Sequence, residues 1–173
     1  MRYLMTPQQT RFFSEHGTID FDPLISDEDL HILEEALKTH PSGRDLFRHS
    51  EGARKILCSK KFGEIGAALF NETPLMVAYT QYPFAPVEEE VTLEFISSFS
   101  DLAGAVLLNT EQSIFVAPTH PLPPFQGVLI AYGSTRTRYK INTLDPKGHE
   151  LKKLGFGSGD RLKAETHPIV ARK

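Results

Sequence analysis

Leu75-Met76-Val77-Ala78-Tyr79-Thr80-Gln81-Tyr82 is the run at which this chain changes character. From Pro74 onward, short apolar or alternating segments are separated by turn residues, the pattern of antiparallel β structure. Strands are predicted near Leu75–Tyr82, Val91–Phe99, Ala105–Leu108, Ile114–Ala117, Val128–Tyr132 and Arg138–Ile141, with one or two more between Leu151 and Val170. Within the second of these the alternation slips at Ser97-Ser98. Ala117-Pro118-Thr119-His120-Pro121-Leu122-Pro123-Pro124 carries too much proline for a hydrogen-bonded ladder and is read as a surface crossing. Gly155-Phe156-Gly157-Ser158-Gly159-Asp160 lacks the spacing and the strand–helix setting of a nucleotide loop and is read as a flexible turn.

Upstream of Leu75 the signals are helical. Thr6-Pro7-Gln8-Gln9 is a capping box with proline at the first helical position, where a missing N–H costs nothing. Phe12 and Phe13 supply an apolar face and Gly17 a stop. Ser26-Asp27-Glu28-Asp29 opens a second helix with acids at its positive end, and Leu30, Leu33 and Leu37 share one face. His40-Pro41-Ser42-Gly43 is read as its end. Glu51 to Cys58 and the stretch after Ser59, with Phe62, Ile65 and Leu69 on one stripe, are read as two further helices. Helices followed by many short strands define an α+β chain with a β-sandwich or jelly-roll body. Residues 1–73 form its helical part and residues 74–173 its β-rich part, in one domain.

The 173 residues are enough to bury a sizeable core. No apolar run approaches the roughly 18 residues needed to cross a bilayer, and the opening has no extended apolar segment. With Cys58 as the single cysteine, these features lead to the expectation of a cytoplasmic protein. The net charge of -3 is unevenly spread. Residues 1–135 hold 9 Lys+Arg and 18 Asp+Glu, whereas residues 136–173 hold 10 and 4. The basic tail packs against the acidic front in one reading and receives an anionic small molecule in another. Overall acidity argues against a nucleic-acid partner.

Tyr3-Leu4-Met5-Thr6-Pro7-Gln8-Gln9, followed by Phe12-Phe13-Ser14-Glu15-His16-Gly17, resembles the opening of the phytanoyl-CoA dioxygenase family. Ile19-Asp20-Phe21 and Ser26-Asp27-Glu28-Asp29-Leu30 are similar to the extended segment and acidic helix that follow there. Gly127-Val128-Leu129-Ile130-Ala131-Tyr132, then Asn142-Thr143, resembles that family's strand toward its distal histidine. The resemblance implies a double-stranded β-helix (jelly-roll, cupin-like) body and chemistry by Fe(II) and 2-oxoglutarate. It also implies a His-x-Asp pair after the first long strand, and this chain has none. Tyr82-Pro83-Phe84-Ala85-Pro86-Val87-Glu88-Glu89-Glu90 contains no histidine. Neither does Ser134-Thr135-Arg136-Thr137-Arg138-Tyr139-Lys140, where the distal histidine would fall. The basic residue that the resemblance implies for the 2-oxoglutarate carboxylate has no clear counterpart, with Lys147 a candidate.

From these residues the expectation is a non-catalytic, metal-free module that binds an anionic small molecule or a protein partner and needs no cofactor. Arg136, Arg138 and Lys140 alternate and would share one face of a strand. With Tyr139 and with Gln81 they form the candidate ligand set at the barrel mouth. The alternative is an Fe(II)/2-oxoglutarate-type dioxygenase, or another metalloenzyme, with a rearranged site drawn from His120, His149, His167 and Glu165. Glu88-Glu89-Glu90 is read as solvated strand-edge charge, and Cys58, with no base beside it, as a core residue.

Overall fold

The computed structural model describes residues 5–86, 90–145 and 149–172. Four helices come first: α1 (Pro7–His16), α2 (Asp27–Leu37), α3 (Glu51–Leu57) and α4 (Lys60–Phe70), with β1 (Thr18–Phe21) between the first two and a single 3-10 turn at Leu46–Arg48. The expected capping box at Thr6 forms, and the helix start at Ser26 proves to be a second one. The Thr6 and Ser26 hydroxyls accept from Gln9 N and Asp29 N, while the Gln9 and Asp29 side chains accept from the cap backbones. Gly17 ends α1 in the left-handed conformation at φ 76°. Replacing Ser26 with alanine should cost about 1 kcal/mol, read as a lower urea midpoint at unchanged slope.

Six strands build one antiparallel sheet in the order β1-β5-β4-β6-β2-β8, from β2 (Leu75–Phe84), β4 (Gly104–Leu108), β5 (Ser113–Val116), β6 (Gly127–Gly133) and β8 (Ile169–Ala171) with β1. A second, two-stranded sheet pairs β3 (Phe99–Ser100) with β7 (Arg138–Tyr139). The period of two along the strands divides the interior. Val106, Leu108, Val128, Ile130 and Tyr132 meet Leu33, Ile56, Phe62 and Ile65 of the helices. Their neighbours Ala105, Leu107, Leu129 and Ala131 meet Phe99, Tyr139, Leu151 and Phe156 on the opposite face. Both faces of the sheet are therefore covered, and β4, β5 and β6 are buried almost throughout. Each such Leu, Ile or Val contributes about 2 kcal/mol by transfer from water. The α+β architecture, helices packed on a curled antiparallel sheet, is as expected.

Five local expectations are corrected. Val91–Phe99 is not a strand: the Thr92 hydroxyl accepts from Phe95 N and starts the short helix α5 (Leu93–Ile96), so the chain turns before β3. Arg138–Ile141 pairs only over β7, because Asn142 donates to the carbonyls of Phe95 and Ser97 and draws the chain off the ladder. Arg136 sits in the turn before β7, so Arg136, Arg138 and Lys140 do not alternate along one strand. Between Leu151 and Val170 the chain adds β8 but also α6 (His149–Lys153), whose residues had been assigned to the β part. The second helix ends at Leu37 rather than at His40. Among the described residues no helix is long and apolar enough to cross a membrane.

Candidate functional site

Gly43 places the first functional side chain. Its φ of 71° is left-handed, and a Cβ there would collide with the Tyr82 carbonyl. This close approach lets residues 43–45 run beside β2: Tyr82 N donates to Gly43 O at 3.1 Å and Asp45 N to Thr80 O at 3.0 Å. Arg44 and Asp45 then leave the backbone in different directions. Arg44 lies over the Tyr79 ring, 4.5 Å from its centroid, and its Nε donates to Gln81 Oε1 at 3.2 Å. Its two terminal nitrogens donate to the two oxygens of Asp145, at 2.9 and 3.3 Å. The Ser98 hydroxyl donates to Asp145 Oδ2 at 2.8 Å. The Gln81 amide nitrogen donates to Ser42 O at 2.9 Å, and Tyr79 Oη lies 2.6 Å from Ser97 Oγ.

This network floors a cleft of about 420 Å³ whose walls include Phe84, Val91, Ile96 and Leu129. Side-chain exposures of 10% for Arg44 and 2% for Asp145 make their pair a buried, bidentate one. Burial opposes the Arg44 charge, but Tyr79, Asp145 and Asp45 outweigh it and hold its pKa above the ordinary value. Burial pushes the Tyr79 hydroxyl up to about 12, with Arg44 and Ser97 opposing. Tyr79 is thus a neutral phenol at ordinary pH, held in place by a cation above and a hydroxyl at its tip.

Asp45, beside Arg44, closes a second network. It accepts from Thr80 N at 2.8 Å and from Arg48 Nε at 3.2 Å, and Arg48 reaches on to the Thr166 carbonyl. His167 follows Thr166 and is fully buried. Its Nδ1 lies 2.8 Å from Thr166 Oγ1, while Nε2 has no hydrogen-bond partner among the described residues. The rings of Phe99 and Phe156 stand edge-on to it at 6.3 and 5.2 Å. Burial, with the Arg48 charge added, lowers the His167 pKa from 6.5 to about 3.

The sequence-derived residues are dispersed. Gln81 lines the cleft. Tyr139 is buried against Phe99 in the β3–β7 sheet. Arg136 pairs with Glu72 at the surface, Arg138 donates to Gly159 O, and Lys140 donates to Glu94 O. His120 packs against Gly17 with its Nδ1 2.7 Å from Pro121 O, whereas His167 stands among Phe99 and Phe156. Glu165 is exposed in the turn before Thr166. His149 opens α6, and its side chain lies outside what is described, as do Val87, Glu88, Glu89 and Lys147. Arg44, Tyr79, Ser98 and Asp145 were missed. The one hint was Gly43-Arg44-Asp45, a glycine before two opposite charges; nothing local marks Asp145 as the partner of a residue 101 positions earlier.

No protein-family model matches this sequence, and no curated protein does. Solved structures do. The non-heme alpha ketoglutarate dependent epimerase SnoN from nogalamycin biosynthesis is 11% identical, with 95% of this chain and 98% of that one covered at a TM-score of 0.69. The carbocyclase SnoK from the same biosynthesis, also alpha ketoglutarate dependent, is 12% identical over 96% and 97% at 0.68. CT296 from Chlamydia trachomatis is 21% identical over 78% and 98% at 0.58. These likenesses show the fold alone: a cupin-like arrangement of helices on a curled antiparallel sheet, shared with SnoN and SnoK. Even so, they overturn the expectation of a non-catalytic module without a cofactor. SnoN and SnoK, which match this chain over nearly their whole lengths, are alpha ketoglutarate dependent enzymes, and SnoN has been solved with Fe3+ and alpha ketoglutarate.

The described residues do not fit iron in the usual facial arrangement of two imidazoles and a carboxylate. The two buried aspartates at the inner networks, Asp45 and Asp145, are each closed by an arginine. His167 Nε2 is the lone unpartnered imidazole nitrogen there, and no three His, Cys, Asp or Glu residues among those described come together for a metal.

Proposed function

We propose that this chain is an enzyme of the alpha ketoglutarate dependent scaffold, a double-stranded β-helix whose minor sheet is cut down to β3 and β7. It acts on a small organic molecule held in the cleft beside β2. The observation that carries this reading is the 420 Å³ cleft floored by a pre-organised polar network. Its size falls within the range of about 300–1,000 Å³ typical of small-molecule sites. Support comes from the end-to-end likeness to SnoN and SnoK and from the resemblance of the α1–β1–α2 opening to the phytanoyl-CoA dioxygenases.

The chain's own groups have distinct tasks in this cleft. Phe84, Val91, Ile96 and Leu129 exclude water. Arg44, locked by Asp145 and Gln81, fixes the floor and pins the Tyr79 ring. Tyr79 keeps its proton up to about pH 12 and holds it at a fixed point. Because side chains locked by their own hydrogen bonds need no reorganisation when a ligand enters, the site is built for orientation.

The test is turnover in a small-molecule extract of the source organism's cells, followed by mass spectrometry, with and without added Fe(II) and 2-oxoglutarate. The expected result is depletion of one compound and appearance of another in at least one arm, abolished by Ile96→Trp, a larger side chain at a partly exposed wall position of the cleft. An unchanged extract in both arms overturns the enzymatic reading.

A further inference from the structure

We infer that the cleft selects a neutral, predominantly apolar molecule, an alkyl or aromatic body with a hydrogen-bonding head, and discriminates against carboxylates. This rests on the reading of the cleft as the reacting site and names the ligand class. Arg44 and Asp145 are the charged groups among the described lining residues, and they neutralise one another through two hydrogen bonds. The Arg44 Nε is taken by Gln81, and Asp145 also holds the Ser98 hydroxyl. A carboxylate entering this floor would meet no net positive charge among the described lining residues and would lose its water, which is costly without a partner. An apolar body meets Phe84, Val91, Ile96 and Leu129.

The mouth points the same way. Among the described residues six large hydrophobics are exposed, and two of them belong to this mouth: Phe95 at 56% and Leu144 at 55%. Asn142, in the same segment as Leu144, ties that segment to Phe95 O and Ser97 O at 2.9 and 2.8 Å. An apolar rim fixed in place above a charge-neutral floor fits a ligand whose body remains partly in the mouth.

Nile red, a neutral fluorescent probe, displaced by matched ten-carbon competitors tests this: decanol, decanoate and decylammonium. Decanol should displace the probe at a concentration about tenfold or more below either ion. Asp145→Asn leaves the Arg44 guanidinium without its counter-charge and should reverse the order of decanol and decanoate. Phe95→Asp changes an exposed rim position, leaves the core untouched and should weaken decanol about tenfold. Decanoate competing as well as decanol on the wild-type protein, or an unaltered response of Phe95→Asp, overturns the inference. The two readings fail separately. Turnover in the extract with decanoate preferred removes only the ligand class, and decanol preference without any turnover removes only the enzymatic reading.

Discussion

Arg44→Met should destabilise the protein by about 3–5 kcal/mol, the cost of leaving one partner of a buried ion pair uncompensated. Asp145 would remain with the Ser98 hydroxyl at a site where its side chain is 2% exposed. Gln81 Oε1 would lose its donor and the Tyr79 ring its cation. The double variant Arg44→Met/Asp145→Leu removes both charges and should recover most of the loss, since an apolar pair of similar volume can replace a buried ion pair at little cost. Urea unfolding measures both: the single variant lowers the midpoint at constant slope, and the double one restores it. A single-variant loss below about 1 kcal/mol would show that the pair is solvated rather than buried.

Acid should destabilise the fold through His167. In the unfolded chain its imidazole takes a proton near pH 6.5, while in the folded chain burial delays this to about 3. Between those values the unfolded state binds the extra proton, so stability is full above pH 6.5 and falls as pH is lowered toward 3. By pH 4 the loss reaches about 3 kcal/mol. Asp45 acts in the opposite sense, because burial holds its carboxyl above 3.8 and the folded state takes up that proton first. Comparison with His167→Leu cancels the Asp45 contribution. The wild-type protein should lose stability relative to the variant between pH 7 and 4, and parallel pH profiles would contradict the buried neutral imidazole.

The parts of the fold legible in the sequence are those set by neighbours along the chain. Thr6 with Gln9 and Ser26 with Asp29 close their caps within three residues, so both helix starts were readable. The runs 105–108 and 128–132 are apolar on both faces, and that alone marks strands covered by two layers. Residues 91–99 defeated the reading because Thr92 offers a cap that competes with strand pairing, and Asn142 then reaches back 45 residues to hold the turn.

The site was less legible for the same reason. Gln81 could be proposed because it ends a recognisable strand. Arg44 and Asp145 meet only through the fold, Arg44 brought to β2 by the left-handed Gly43 and Asp145 by the segment after β7. The alternation of Arg136, Arg138 and Lys140 looked like an anion cradle, yet their side chains turn to Glu72, Gly159 O and Glu94 O. A missing His-x-Asp motif led to an expectation of no catalysis. The fold instead is that of the alpha ketoglutarate dependent enzymes SnoN and SnoK, with an arginine–aspartate pair and a tyrosine at the inner face of β2.

The crystal structure of the protein soaked with decanol tests most directly whether the cleft beside β2 is where a small molecule is held. The predicted result is one ordered molecule against Leu129 with its tail between Phe95 and Leu144 and the Arg44–Asp145 pair intact beneath it. Binding instead in the groove between α1 and the His120 loop, with the cleft beside β2 left empty, would contradict it.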